Sequence, residues 1–157
     1  STYRTIEKGD LVQLNLSAKI EGYSPSIGMP ISMGPLVGKK RDLVEFCLSM
    51  HNWTLSQVKV GVEAAQIAKD YYQKVLDAGM QDYFVYGPCH GTGMIEVEAP
   101  WMETSSNYLL QENMTFQVDT YFSAEKFGCR WETGICVKPN QSLLLSEPLG
   151  TIYEIPC

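Results

Sequence analysis

His90 is one of only two histidines in this chain of 157 residues, and it stands in the stretch YGPCHGTGMIEVEAP. Cys89 precedes it, glycines flank it, and Glu96 and Glu98 follow. An imidazole in that setting suits two chemistries, metal ligation through a ring nitrogen or proton transfer near neutral pH. The adjacent Cys89 invites a Cys–His nucleophile. Neighbouring residues of a strand point to opposite faces, however, so the two side chains do not meet, and Cys89 is expected as a small buried residue. His51, in SMHNW at an expected helix end, reads as a surface or capping histidine.

The elements that position His90 follow from periodicity. GDLVQLNLSAKIEGY, continuing through SIGMPISMG, reads as a strand hairpin with Leu11, Leu14 and Leu16 as its apolar positions. From Asp42 the period changes to that of a helix, with Leu43, Phe46, Cys47 and Met50 on one face. The basic run GKKR before it reads as a solvated helix start. Gly61 marks a turn into a second helix, whose expected apolar face is Ala64, Ala68, Tyr71, Tyr72, Val75 and Leu76, with Gly79 as its C-terminal glycine. Five short strands are then expected in DYFVYG, GMIEVEA, MTFQVDTYF, CRWETGICVK and TIYEI. Strands, two helices and a further run of strands predict an α+β fold with a mainly antiparallel sheet.

Composition excludes several classes. A net charge of −6 leaves no basic cluster to neutralise phosphates, so no nucleic-acid partner is expected. No run approaches the roughly 18 apolar residues of a membrane span. Five cysteines without a CxxC pair suit reduced thiols, which points to a cytoplasmic protein.

Five segments in order, KGDLVQLNLSAKIEGYSPSI, KVGVEAAQ, HGTGMIEVEAP, NMTFQVDTYF and GCRWETGICV, resemble the pita-bread metallopeptidase family. That family includes aminopeptidase P, prolidase, methionine aminopeptidase and creatinase. The resemblance covers roughly residues 7 to 139. It implies a pita-bread (creatinase/aminopeptidase) fold, a curved, mainly antiparallel sheet backed by helices. Residues 1–157 are expected to form a single catalytic-type domain, the C-terminal portion of that fold and incomplete at its N-terminus.

The resemblance also implies a site. The family holds two divalent ions with two aspartates, a histidine and two glutamates, because paired dications need that much carboxylate. Carried over by position, the two aspartates fall on Asn15 and Ser26, neither of which offers an anionic oxygen. The histidine is His90, the first glutamate position holds Asp119, and the second is Glu132. A substrate-contacting histidine of the family falls on Val97, and a threonine falls on Gly28. Trp131, beside Glu132, is expected to line or fill the pocket, while Cys129 and Cys136 read as packing.

The expectation is therefore a divergent hydrolase of the Xaa-Pro aminopeptidase, prolidase or creatinase type with a degraded metal centre. Its substrate is a peptide or another small molecule with a C–N bond. His90 and Glu132 are its candidate catalytic residues. His90, Asp119 and Glu132 are candidate ligands for a single divalent ion (Mn, Co or Zn), with an empty site the favoured outcome. The alternative is an inactive pseudo-peptidase domain that binds a peptide or protein in the old cleft. Self-association into a homo-oligomer is expected.

Overall fold

Strict alternation along two long strands divides the molecule into a helix side and a cleft side. The computed structural model describes residues 3–146 and 150–157. In the strand Thr115–Ser123, Phe116, Val118, Thr120 and Phe122 are buried on one side, so Gln117, Asp119 and Tyr121 face the other. In the strand Gly128–Cys136, the buried set Cys129, Trp131, Thr133 and Ile135 leaves Arg130, Glu132 and Gly134 on the cleft side. These strands pair antiparallel, with Asp119 opposite Glu132 and Tyr121 opposite Arg130.

In chain order the described strands are β1 Leu11–Ser17, β2 Ser26–Met33, β3 Phe84–Tyr86, β4 Cys89–Gly91, β5 Glu98–Met102, β6 Thr115–Ser123, β7 Gly128–Cys136, β8 Leu143–Leu144 and β9 Tyr153–Ile155. They form one sheet in the order β1-β2-β7-β6-β4-β5, with β3 on β6, β8 on β7, and β9 parallel to β2. The remaining pairings are antiparallel. An α+β fold with a mainly antiparallel sheet is what the periodicity predicts.

Both helices pack on one side of the sheet. Helix α1 (Gly38–Gln57) buries Leu43, Val44, Cys47, Met50, His51 and Thr54, a stripe at three- and four-residue spacing. Its partners include Phe122, Cys129 and Trp131. Helix α2 (Ala64–Asp77) buries Ala64, Ala65, Ile67, Ala68, Tyr71 and Val75, and joins a second cluster with Cys89, Met102, Phe116 and Ile135. Each fully buried phenylalanine contributes about 2–3 kcal/mol of transfer free energy. Gly61 (φ +84°) and Gly79 (φ +65°) both take left-handed conformations at the helix ends, as the turn and cap require.

Four expectations are corrected. Tyr72 and Leu76 are exposed rather than part of the apolar face of α2, because the buried stripe is centred on Ile67, Tyr71 and Val75. The segment 93–97 within GMIEVEA is a loop. The Glu98 carboxylate accepts the Ile95 N–H at 3.0 Å, and Gly93 N–H donates to the Ile95 carbonyl at 3.1 Å, so local bonds replace a ladder. Trp131 belongs to the helix-side core, since odd and even residues of β7 part company at Glu132. His51 lies inside α1, only 2% exposed, with Nε2 3.0 Å from Thr133 Oγ1.

Two outcomes follow from this packing. A Cβ on Gly91 would lie 2.6 Å from the Ala99 carbonyl oxygen where β4 meets β5. Backbone atoms cannot step aside cheaply, so Gly91→Ala should lower stability by about 2 kcal/mol in chemical denaturation. Burial pushes the His51 imidazole down to about 4, so the folded state holds it neutral. Its folded pKa is depressed below the unfolded value near 6.5, so its contribution is complete above that pH and is lost as pH falls through 4. The loss reaches about 3 kcal/mol in the acid limit. Urea unfolding across that range should show it, and His51→Gln should remove this part of the acid sensitivity.

Candidate functional site

The cleft side of β6 and β7 sets two carboxylates directly against each other. Asp119 is 2% exposed and Glu132 1%, and they occupy one register pair. Like charges directly opposite across a ladder are destabilising unless something compensates them. His90 arrives from β4, where it pairs with Gln117 and Trp101, so its ring falls on the same side as Asp119. One ligand atom from each of His90, Asp119 and Glu132 lies within 4.8 Å of the others. The three residues carried over by position are thus brought together, and all three are buried.

Asn15 and Ser26 meet the same cluster as hydrogen-bond donors. Asn15 pairs with Gly28, and Gly28 pairs with Glu132 across the next strand boundary. A Cβ on Gly28 would stand 3.0 Å from both Asn15 Nδ2 and Glu132 Cβ. Its absence lets Asn15 reach over the strand, where Nδ2 donates to Glu132 Oε2 at 2.8 Å. Ser26 Oγ lies 2.5 Å from Glu132 Oε1 and 3.1 Å from Glu96 Oε1. Its single hydroxyl proton serves one of these carboxylates at a time.

Arg130 is the functional residue that sequence reasoning missed. Its Nε donates to Asp119 Oδ1 at 2.7 Å and its Nη2 to Asp119 Oδ2 at 2.8 Å, a two-pronged pairing. The same Nη2 reaches Glu132 Oε1 at 2.8 Å and lies 3.9 Å from Glu96 Oε1. The guanidinium carbon sits 5.8 Å from the centre of the Tyr86 ring. The signal was present in CRWETG, because residues two apart in a strand share a face and Arg130 precedes Glu132 by two.

Burial pushes the Glu132 carboxyl up to about 7; Asp119 adds to the rise, while Ser26 and Arg130 oppose it. His90 is held above its ordinary value. Burial lowers it, but Asp119 and the Gly91 carbonyl outweigh that effect. The Nδ1 of His90 is 2.9 Å from the Gly91 carbonyl oxygen, so it carries the proton that donates there. Nε2 is buried, 3.6 Å from Asp119 Oδ2, and without a hydrogen-bond partner among the described residues.

A half-open cavity of about 450 Å³ lies over this cluster, walled by Tyr86, His90, Val97, Trp101, Asp119 and Arg130. Val97 therefore presents an apolar side chain to the cavity. Trp101, rather than Trp131, supplies its indole wall. Cys89 is buried on the helix side with α2, away from the imidazole that follows it.

The donor set does not fit a two-ion centre. Asn15 and Ser26 direct an N–H and an O–H at Glu132, where paired dications would require oxygen anions. Both oxygens of Asp119 and both of Glu132 already accept hydrogen bonds. A single ion would find the His90 Nε2 lone pair available only in the neutral imidazole, and would have to compete with Arg130 for both Asp119 oxygens and Glu132 Oε1, and with Asn15 for Glu132 Oε2.

Comparison with known proteins agrees with this architecture. A Xaa-Pro dipeptidase of Pyrococcus furiosus is 26% identical over 145 residues, covering 92% of this chain and 42% of that protein. A Xaa-Pro dipeptidase of Lactobacillus delbrueckii subsp. lactis is 25% identical over 115 residues, covering 73% and 31%. Among solved structures, the dipeptidase PepE of Mycobacterium ulcerans superimposes with a TM-score of 0.92 at 23% identity, over 99% of this chain and 43% of that one. The prolidase of Pyrococcus furiosus does so with a TM-score of 0.87 at 25% identity, over 94% and 44%. The chain thus has the pita-bread fold and spans about four-tenths of the length of the first of these relatives. The model of metallopeptidase family M24 matches residues 1–139, and the chain belongs to that family.

Proposed function

We propose that this chain is a divergent M24 peptidase-type domain that holds short peptides of the Xaa-Pro class in the cleft over His90, with a degraded metal centre that does not run two-ion hydrolysis. The observation that carries the reading is the cavity itself. It opens directly on His90, Asp119 and Arg130, within a fold shared with Xaa-Pro dipeptidases. Its wall combines an indole, a phenol and an aliphatic side chain with a few convergent polar groups, the make-up of a small-ligand site. The flat faces of Trp101 and Tyr86 suit a proline ring, and the guanidinium suits a peptide carboxylate or carbonyl.

Two chemistries are compatible with a bound peptide. In the first, the domain still cleaves a peptide or another C–N bond slowly. A water would add to the carbon of the scissile bond as Glu132 takes its proton, and His90, protonated at Nε2, would give a proton to the leaving nitrogen as the C–N bond breaks. In the second, the cleft binds without cleaving. The donors that already hold all four carboxylate oxygens favour the second, because a carboxylate paired with Arg130, Asn15 or Ser26 is a weaker base towards a water. Glu132 also lies behind Ser26 and Arg130 rather than on the cavity wall.

The same reading carries a cytoplasmic, self-associating protein without nucleic-acid or membrane partners. Five free cysteines suit a reducing compartment, and no helix among the described residues is long and apolar enough to cross a membrane. Gel filtration would test self-association, and a monomer would end it.

Binding is tested by calorimetry with Xaa-Pro dipeptides. Saturable binding is expected, and Trp101→Ala should weaken it about tenfold through loss of the indole wall. No binding of any such dipeptide would overturn the reading. Turnover is tested with Xaa-Pro dipeptides and small guanidino compounds, with and without manganese. The expected result is no manganese-stimulated hydrolysis. Any slow metal-independent turnover should vanish in His90→Ala. Efficient manganese-dependent cleavage would contradict the degraded centre.

A further inference from the structure

We infer that this cleft selects peptides with a basic residue before the proline, Lys-Pro or Arg-Pro, and that Glu96 and Glu103 in its wall receive the cationic head of that residue. The inference rests on the reading of the cleft as a site for short peptides, and it names the side chain that the site prefers.

The charges around the cavity do not balance. Its wall carries the carboxylates of Glu96, Glu103 and Asp119 and the guanidinium of Arg130, and no lysine. Arg130 is committed through Nε and Nη2 to Asp119 and to Glu132 behind the wall. Glu96 is left with weak partners. Its side chain is 40% exposed, its Oε1 lies 3.1 Å from the neutral Ser26 hydroxyl, and Arg130 Nη2 is 3.9 Å away, beyond hydrogen-bond range. Glu103 is exposed and makes no ion pair among the described residues; its backbone N–H, not its carboxylate, is bonded, to Ser106 Oγ at 2.9 Å. The wall therefore holds more negative charge than its one guanidinium offsets, and the ligand group complementary to it is a cation.

An aromatic wall stands with these carboxylates. Glu96 lies in the loop before β5, Glu103 directly follows the strand, and Trp101 comes between them in the chain. The indole lines the cavity and is 47% exposed. Its place is fixed, because the Trp101 carbonyl accepts from Ser106 Oγ at 2.8 Å and from the Tyr108 hydroxyl at 2.9 Å, and the same Ser106 oxygen takes the Glu103 N–H. Such a wall suits the stem of a lysine or arginine, which packs on an aromatic face while its charged head reaches a carboxylate. A neutral side chain gains the packing alone, and an acidic one meets like charge. A separate observation points to an occupant of the same cavity. His90, only 6% exposed, lines it, and its Nε2 has no hydrogen-bond partner among the described residues.

The test is calorimetry of the whole chain with Lys-Pro, Gln-Pro, Glu-Pro and Lys-Pro acetylated on its side-chain nitrogen. Lys-Pro should bind about tenfold more tightly than Gln-Pro, and Glu-Pro should bind most weakly. Acetylation keeps the stem and removes the charge, so the acetylated peptide should bind as Gln-Pro does. The preference should shrink between about 50 mM and about 0.5 M sodium chloride, because both glutamates are open to solvent. In the double variant Glu96→Gln, Glu103→Gln, Lys-Pro and Gln-Pro should bind within about twofold of each other. Lys-Pro binding no tighter than Gln-Pro would overturn the proposal and leave the reading of the cleft standing, as would a preference that survives in the double variant. Should that variant not fold, the acetylated peptide decides: affinity equal to that of Lys-Pro overturns the proposal. Absence of binding by every dipeptide sinks the reading of the cleft, and the proposal with it.

Discussion

Asp119 and Glu132 face each other across β6 and β7, both almost fully removed from solvent, and the cleft side of the molecule is arranged around that repulsion. Two like charges about 4 Å apart repel by about 4 kcal/mol at the effective dielectric of a protein surface, a large fraction of the stability of a typical domain. Either a cation stands between the two carboxylates or one of them takes up a proton. The upward push on Glu132 and the clamp on Asp119 by Arg130 are two expressions of that one constraint.

The rest of the cleft follows. Gly28 carries no side chain because Asn15 must pass over it to reach Glu132. Ser26 donates where a carboxylate would have added a further negative charge. His90 turns its Nδ1 proton to the Gly91 carbonyl and leaves Nε2 towards Asp119 and the cavity. The helix side supplies rigidity. Thr133, next to Glu132 but on the other face, is held against the His51 imidazole, so α1 pins β7 from behind. Chemistry and core thus share the same two strands and are separated only by the pleat.

Much of this was legible in the sequence for reasons that can be named. Alternation along MTFQVDTYF and CRWETGICVK specified both strands, and the family resemblance put Asp119 and Glu132 in one site. The helical stripe from Leu43 to Met50 and the glycines at 61 and 79 specified the helix pair. Spacing within HGTGMIEVEAP carried the family resemblance. Other features depend on tertiary contacts that no local pattern reports. His51 looks like a terminal residue of an amphipathic segment, yet α1 continues to Gln57 and carries the ring into the core. Ile95 and Val97 alternate with Glu96 and Glu98 as a strand would, but the Glu98 carboxylate captures the Ile95 N–H and folds the segment into a loop. Arg130 is the instructive case. Its place two residues before Glu132 was readable, but its two-pronged pairing with Asp119 depends on the β6–β7 register, which no local pattern reports.

The central claim is that this cleft does not hold a two-ion centre, because Asn15 and Ser26 turn hydrogen-bond donors, not anionic oxygens, to Glu132. Its most direct test is a crystal of the wild-type chain soaked in manganese and measured for anomalous scattering. The account predicts no pair of anomalous peaks between His90 and Glu132, with Asn15 and Ser26 still within hydrogen-bond distance of Glu132. Two manganese peaks held by His90, Asp119 and Glu132 would contradict it.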